Sequence, residues 1–166
     1  MRFAWLVVAW LVGCGPAKEW HAGMSARVLI DPQLTALSAD AKQAAADRLD
    51  QFGISIGEGS KVIRVSDGSG NLGCQTSTPG AVVAAYTTDR IWVCPRFADA
   101  TAKTPRGAYL VLSHEMGHLL GLVGHLPAGG NLMAPILDNY KTLSAFSARD
   151  VAAICGAGHV DSPACD

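Results

Sequence analysis

The stretch His114-Glu-Met-Gly-His-Leu-Leu-Gly-Leu-Val-Gly-His125 constrains this chain more than any other part of it. Each residue of a helix turns by about 100°, so His114 and His118 lie about 40° apart around the axis and project from one face. Two imidazoles so placed can hold one Zn2+. Glu115, beside the first histidine, stands where a zinc hydrolase carries its general base, not a third ligand. Gly121 can leave the helix through a left-handed conformation that a Cβ would oppose. The chain then swings back and offers His125 as a third nitrogen, with a fourth position open for water. A bare His-Glu-x-x-His arises by chance. A pair followed by a glycine, a further histidine and, eight residues on, Met133 is much harder to reach that way.

In these residues the chain resembles the matrixin-like branch of the metzincin metalloproteases, whose pattern is His-Glu-x-x-His-x-x-Gly-x-x-His followed by a Met-turn. The resemblance implies zinc ligands His114, His118 and His125, the base Glu115, and a Met-turn at Met133 within Asn131-Leu-Met-Ala-Pro135. It implies an α+β catalytic domain with a twisted five-stranded mixed sheet and three helices. Pro135 and Ile136 would line the pocket for the substrate side chain after the scissile bond. One departure is plain. Leu122, Val123 and Gly124 separate Gly121 from His125, three residues where the pattern has two. Strict counting puts the third ligand at Gly124, which has no side chain. Either the turn is one residue longer and His125 binds, or zinc takes another group such as His159 or Asp138. The eight-residue step from His125 to Met133 matches matrixin spacing and places the extra residue before the histidine. Gly124 gives the longer turn its freedom.

The amino terminus reads as an address. Met1-Arg2 is a short positive region, Phe3 to Val12 is apolar, and Leu11-Val-Gly-Cys14 resembles a bacterial lipobox with Cys14 as the lipidated residue. The apolar run is shorter than the ~20 residues a membrane-spanning helix needs. Residues 1–13 are expected as a signal peptide, 14–25 as a tether and 26–166 as the single domain, on an exported, membrane-anchored cell-envelope protein. Loss of Arg2 with the signal leaves 12 basic against 14 acidic residues, a formal −2. No Lys/Arg run points to nucleic acid, and nothing points to a second subunit, so a monomer acting on peptide is expected. With Cys14 given to lipid, Cys74, Cys94, Cys155 and Cys165 remain, an even set suited to an oxidising compartment. Four cysteines allow three pairings; proximity favours Cys74–Cys94 and Cys155–Cys165.

Strands are expected at Arg27–Ile30, Ile54–Ile56, Lys61–Val65, Ala81–Thr87 and Arg90–Cys94. Ser38 is a candidate N-cap for an alanine-rich helix reaching Phe52, with Leu49 and Phe52 on its buried face. Thr104-Pro105 is the expected start of the active-site helix, whose core side holds Leu112, Met116, Leu119 and Leu120. Ser147 and Asp150 form a capping box for the last helix, with Val151 and Ile154 inward. The Gly80–Tyr86 strand has a second possible role as an edge that pairs with extended substrate. Asp67-Gly-Ser-Gly-Asn71 alternates oxygen-bearing side chains as a calcium loop does, yet lacks the later bidentate glutamate; a glycine-rich turn is preferred over calcium. No histidine occurs between His21 and His114, so a second zinc is not expected.

Three neutral imidazoles on zinc would acidify water and polarise a carbonyl, and Glu115 would carry the proton to the leaving amine. The chain therefore reads as a zinc endopeptidase. Its rivals are a non-catalytic surface lipoprotein stabilised by zinc, which has no use for Glu115, and a peptidoglycan-peptide hydrolase, for which no wall-binding repeat is present.

Overall fold

β-branched and apolar alternation builds one mixed sheet, and helices cover its core side. The computed structural model describes residues 18–70, 74, 84–87 (backbone only), 89–135 and 142–166. Seven strands are present among them: β1 (Trp20–His21), β2 (Ser25–Ile30), β3 (Ser55–Ile56), β4 (Lys61–Asp67), β5 (Ala84–Thr87), β6 (Arg90–Val93) and β7 (Val160–Asp161). The α-helices are α1 (Ser38–Asp50), α2 (Phe97–Thr101), α3 (Gly107–Leu119) and α4 (Ala148–Gly156). Five strands pair in the order β3-β2-β4-β6-β5. All neighbours are parallel except β5, which runs antiparallel to β6 at one edge. Parallel neighbours need a crossover, and α1 supplies the one from β2 to β3.

Register explains the core. Ile30 pairs with Val65 and Val65 with Ile91, so one face carries a cross-strand β-branched row. Ala41, Ala44, Ala45 and Leu49 form the buried stripe of α1, and their small side chains let α1 pack closely on α3. Polar ties reinforce that contact. Tyr109 on α3 donates to Asp47, and Gln51 exchanges two hydrogen bonds with the backbone of Phe146, at 3.2 and 3.0 Å. Phe146 also lies 6.3 Å, centroid to centroid, from Phe52.

The mixed five-stranded sheet matches the sequence expectation, and the structure corrects several details around it. Among the described residues there are four α-helices rather than the expected three, because Phe97–Thr101 adds a short one. Ser38 is the first residue of α1 and not its N-cap; the chain enters through a 3-10 segment, Pro32–Leu37, capped by Asp31 accepting from the Gln33 N–H. Thr104 does not cap α3 either. That helix starts two residues beyond Pro105, after Arg106 in a left-handed conformation (φ 56°) with its guanidinium 4.0 Å from the Tyr109 ring centroid. The segment read as a tether is folded from residue 18 onward: β1 pairs in parallel with β7, and Trp20 is fully buried. The Ser147/Asp150 capping box is present on α4. Gly80–Val83, Asn71 and Cys14 lie outside the described residues; Asp67 turns its carboxylate onto the N–H and hydroxyl of Ser69.

Both disulfides follow the proximity rule: Cys74–Cys94 and Cys155–Cys165. The second closes a loop of sequence separation 10 that holds β7 against α4. Loop-closure entropy for such a loop corresponds to about 2.7 kcal/mol. The Cys155→Ser/Cys165→Ser double variant is expected to lose about 2–3 kcal/mol in urea unfolding; an unchanged midpoint would show that α4 and β7 hold the tail without the bridge.

Candidate metal centre

Helix α3 is buried almost throughout, and its sequence shows why. Tyr109, Leu110, Val111, Leu112, Met116 and Leu119 are apolar around the whole circumference rather than along one stripe, as in a helix covered on all sides. His114, Glu115 and His118 interrupt it at 4, 6 and 5 % exposure. Ionisable groups so deep require compensation by hydrogen bonds, altered protonation or a bound ion.

The hydrogen bonds set the tautomers. His114 Nδ1 lies 2.7 Å from the Leu132 carbonyl oxygen, and His118 Nδ1 lies 2.7 Å from that of Leu122. A carbonyl only accepts, so each Nδ1 carries the ring proton and each Nε2 is left with its lone pair. Those two Nε2 atoms stand 3.2 Å apart. Two nitrogens on a tetrahedral zinc, each at about 2.05 Å, are about 3.3 Å apart. The His125 ring centroid is 5.1 Å from that of each partner, and the three ligand atoms all fall within 4.8 Å of one another. His114, His118 and His125 therefore form a group that can hold a metal ion.

Charge states agree with that fit. Burial, then the neighbouring His118, hold His114 down to about 3; burial holds His118 to about 4 and lowers His125. Neutral imidazole is the form that ligates. Burial pushes Glu115 up to about 8.

The turn that carries His125 is a Schellman motif. Gly121 N–H donates to the His118 carbonyl at 2.9 Å and Leu122 N–H to the Gly117 carbonyl at 3.2 Å, with Gly121 at φ +105°. The additional residue is absorbed outward: Val123 is 84 % exposed, and Gly124, at φ +82°, turns the chain back. Leu126 N–H then bonds the Met133 carbonyl. Of the alternative ligands, His159 does not join the group; its ring packs against Gly121, where a Cβ would collide with it. Asp138 lies outside the described residues, as does Ile136. Pro135 is exposed.

Met133 is fully buried, and its thioether occupies the space that a Cβ on Gly117 would need. The methionine thus packs against α3 between the two helical histidines. Sequence reading missed what holds that loop. Asp150, fully buried, accepts from the N–H groups of Leu132 (2.9 Å), Met133 (3.0 Å) and Ser147 (2.7 Å). One carboxylate therefore caps α4 and orients the Leu132 carbonyl that His114 uses. Its N3 position in the capping box was the available signal; the two carbonyl acceptors have none.

No protein-family model matches the chain, and no curated protein matches it.

The pH dependence of the metal-free protein has a definite sign. Unfolded histidine takes up protons below about 6.5, while the native imidazoles resist until well below that, so their contribution to stability falls as pH drops from about 6.5. Glu115 acts oppositely: the native carboxyl keeps its proton up to about 8, so its contribution falls as pH rises through that value. Metal-free protein is expected to melt highest near pH 6.5 and lower at 5 and 8. Glu115→Gln should abolish the alkaline fall alone; persistence of the fall in that variant would refute the assignment.

Proposed function

We propose that this protein is an exported, membrane-anchored zinc endopeptidase with a matrixin-like catalytic domain. The observation that carries the reading is the convergence of three neutral imidazoles beside a buried, helix-borne carboxyl in His-Glu-x-x-His spacing. Zn2+ bound there supplies Lewis acidity toward a peptide carbonyl and acidifies water. Glu115 takes the proton of the water that attacks the scissile carbon and returns it to the leaving amine nitrogen as the C–N bond breaks. A purely structural site has no use for this carboxyl.

Other features support the reading. β5 ends the order of the sheet, and an edge strand can bind extended peptide through its backbone groups. Two disulfides accord with an oxidising compartment. Among the described residues no helix is long and apolar enough to cross a membrane; attachment in this reading is through a lipidated Cys14. The substrate is peptide or protein; Pro135 and Ile136 would line the pocket for the side chain after the scissile bond, with Met133 buried beneath the histidines.

The test is metal content and peptide cleavage on a soluble chain beginning after Cys14, beside its Glu115→Ala variant. Both should bind one zinc, with kcat falling 10²- to 10⁴-fold in the variant alone. Zinc in both proteins without cleavage across a broad peptide library would replace the enzyme with a zinc-stabilised binding protein.

A further inference from the structure

The last turn of α3 leaves carbonyls that the helix itself cannot satisfy. The Schellman turn accounts for those of Gly117 and His118. The Leu119 carbonyl is met from elsewhere: the indole Nε1–H of Trp20 donates to it at 2.9 Å, in a buried contact 99 residues away in sequence. Trp20 is itself held firmly. The N–H groups of Glu19 and Trp20 both donate to the His159 carbonyl, at 2.9 and 3.0 Å, and Lys61 Nζ sits 4.8 Å from the indole ring centroid. The side chain of that same His159 fills the space beside Gly121. Residues near both ends of the described chain thus close on the turn, Trp20 on its carbonyl side and His159 on its glycine side. A cavity of about 120 Å³ lies between them, with His118 on one wall and Glu19, Trp20 and His159 on others.

We propose that Trp20 is a positioning residue for the metal centre, acting with His159 as a clasp on the turn between His118 and His125. This rests on the zinc reading above. The turn supplies the Leu122 carbonyl that sets the His118 tautomer, and it delivers His125. It is one residue longer than the metzincin pattern and contains two glycines at positive φ, the residue type with the most backbone freedom to lose. A longer, softer turn needs an outside restraint to hold two ligands in register, and the clasp provides it.

The test measures zinc affinity, by chelator competition at 25 °C on fully folded protein, and the visible spectrum of the Co2+-substituted form. Trp20→Phe keeps an aromatic ring and removes the donor; His159→Ala opens the space beside Gly121 and leaves the backbone acceptor; Ile63→Val, in the distant sheet, is the control for lost stability. Trp20→Phe and His159→Ala should each weaken zinc binding about tenfold, the low end for outlying supports of metal ligands, and should alter the Co2+ spectrum. Ile63→Val should lower the melting temperature without moving either readout. Wild-type zinc affinity in Trp20→Phe overturns the proposal and leaves the zinc reading standing. If Trp20→Phe does not fold, wild-type affinity in His159→Ala overturns it instead. Absence of zinc uptake by the wild-type chain overturns both.

Discussion

The structure depends on two imidazoles that are buried, neutral and aimed by carbonyls. Each carbonyl is fixed in turn by a different part of the fold. Leu132 presents its oxygen to His114 because Asp150 holds the N–H groups of Leu132 and Met133 from the start of α4. Leu122 presents its oxygen to His118 because the Schellman turn, bracketed by Trp20 and His159, sets its direction. Such outer partners choose the tautomer and lock the ring, which is half of what makes a histidine cluster a metal site. The sheet supplies none of the three imidazoles and neither of the two carbonyls. It provides the rigid wall against which α3 is buried.

Close approach is the second constraint. Gly117 stands between the histidines because Met133 fills the place of its side chain, and Phe146 packs on the same spot. Phe146 is anchored by Gln51 at the end of α1. The crossover helix, the loop after α3 and the approach to α4 therefore meet under one glycine of α3. A methyl group there would force backbone or core to move, at about 1–3 kcal/mol for overpacking of this kind.

The legible parts of this chain were those with local causes. β-branched alternation marked the sheet strands, the Ser147/Asp150 box marked α4, and the spacing of His114, His118, Gly121 and His125 marked the cluster, including the extra residue that Val123 carries into solvent. The parts that escaped have non-local causes. Trp20 lay in a stretch without periodicity and is buried where β1 pairs with β7 and the indole reaches the end of α3. Thr104-Pro105 has the residues of a helix start, yet Gly107 opens α3, where it lies so close to Thr101 that a Cβ would collide with the carbonyl. Ser38 had the chemistry of a cap but follows a 3-10 segment that Asp31 caps already. Asp150 was visible as a capping residue. Its second task needed the fold.

Zinc-edge X-ray absorption on the zinc-loaded chain tests the central claim most directly, because it counts the atoms on the metal. Three imidazole nitrogens at about 2.0 Å, one further light atom and no sulfur are expected. Two imidazoles, or a sulfur neighbour, would contradict it and return the third ligand to a residue other than His125.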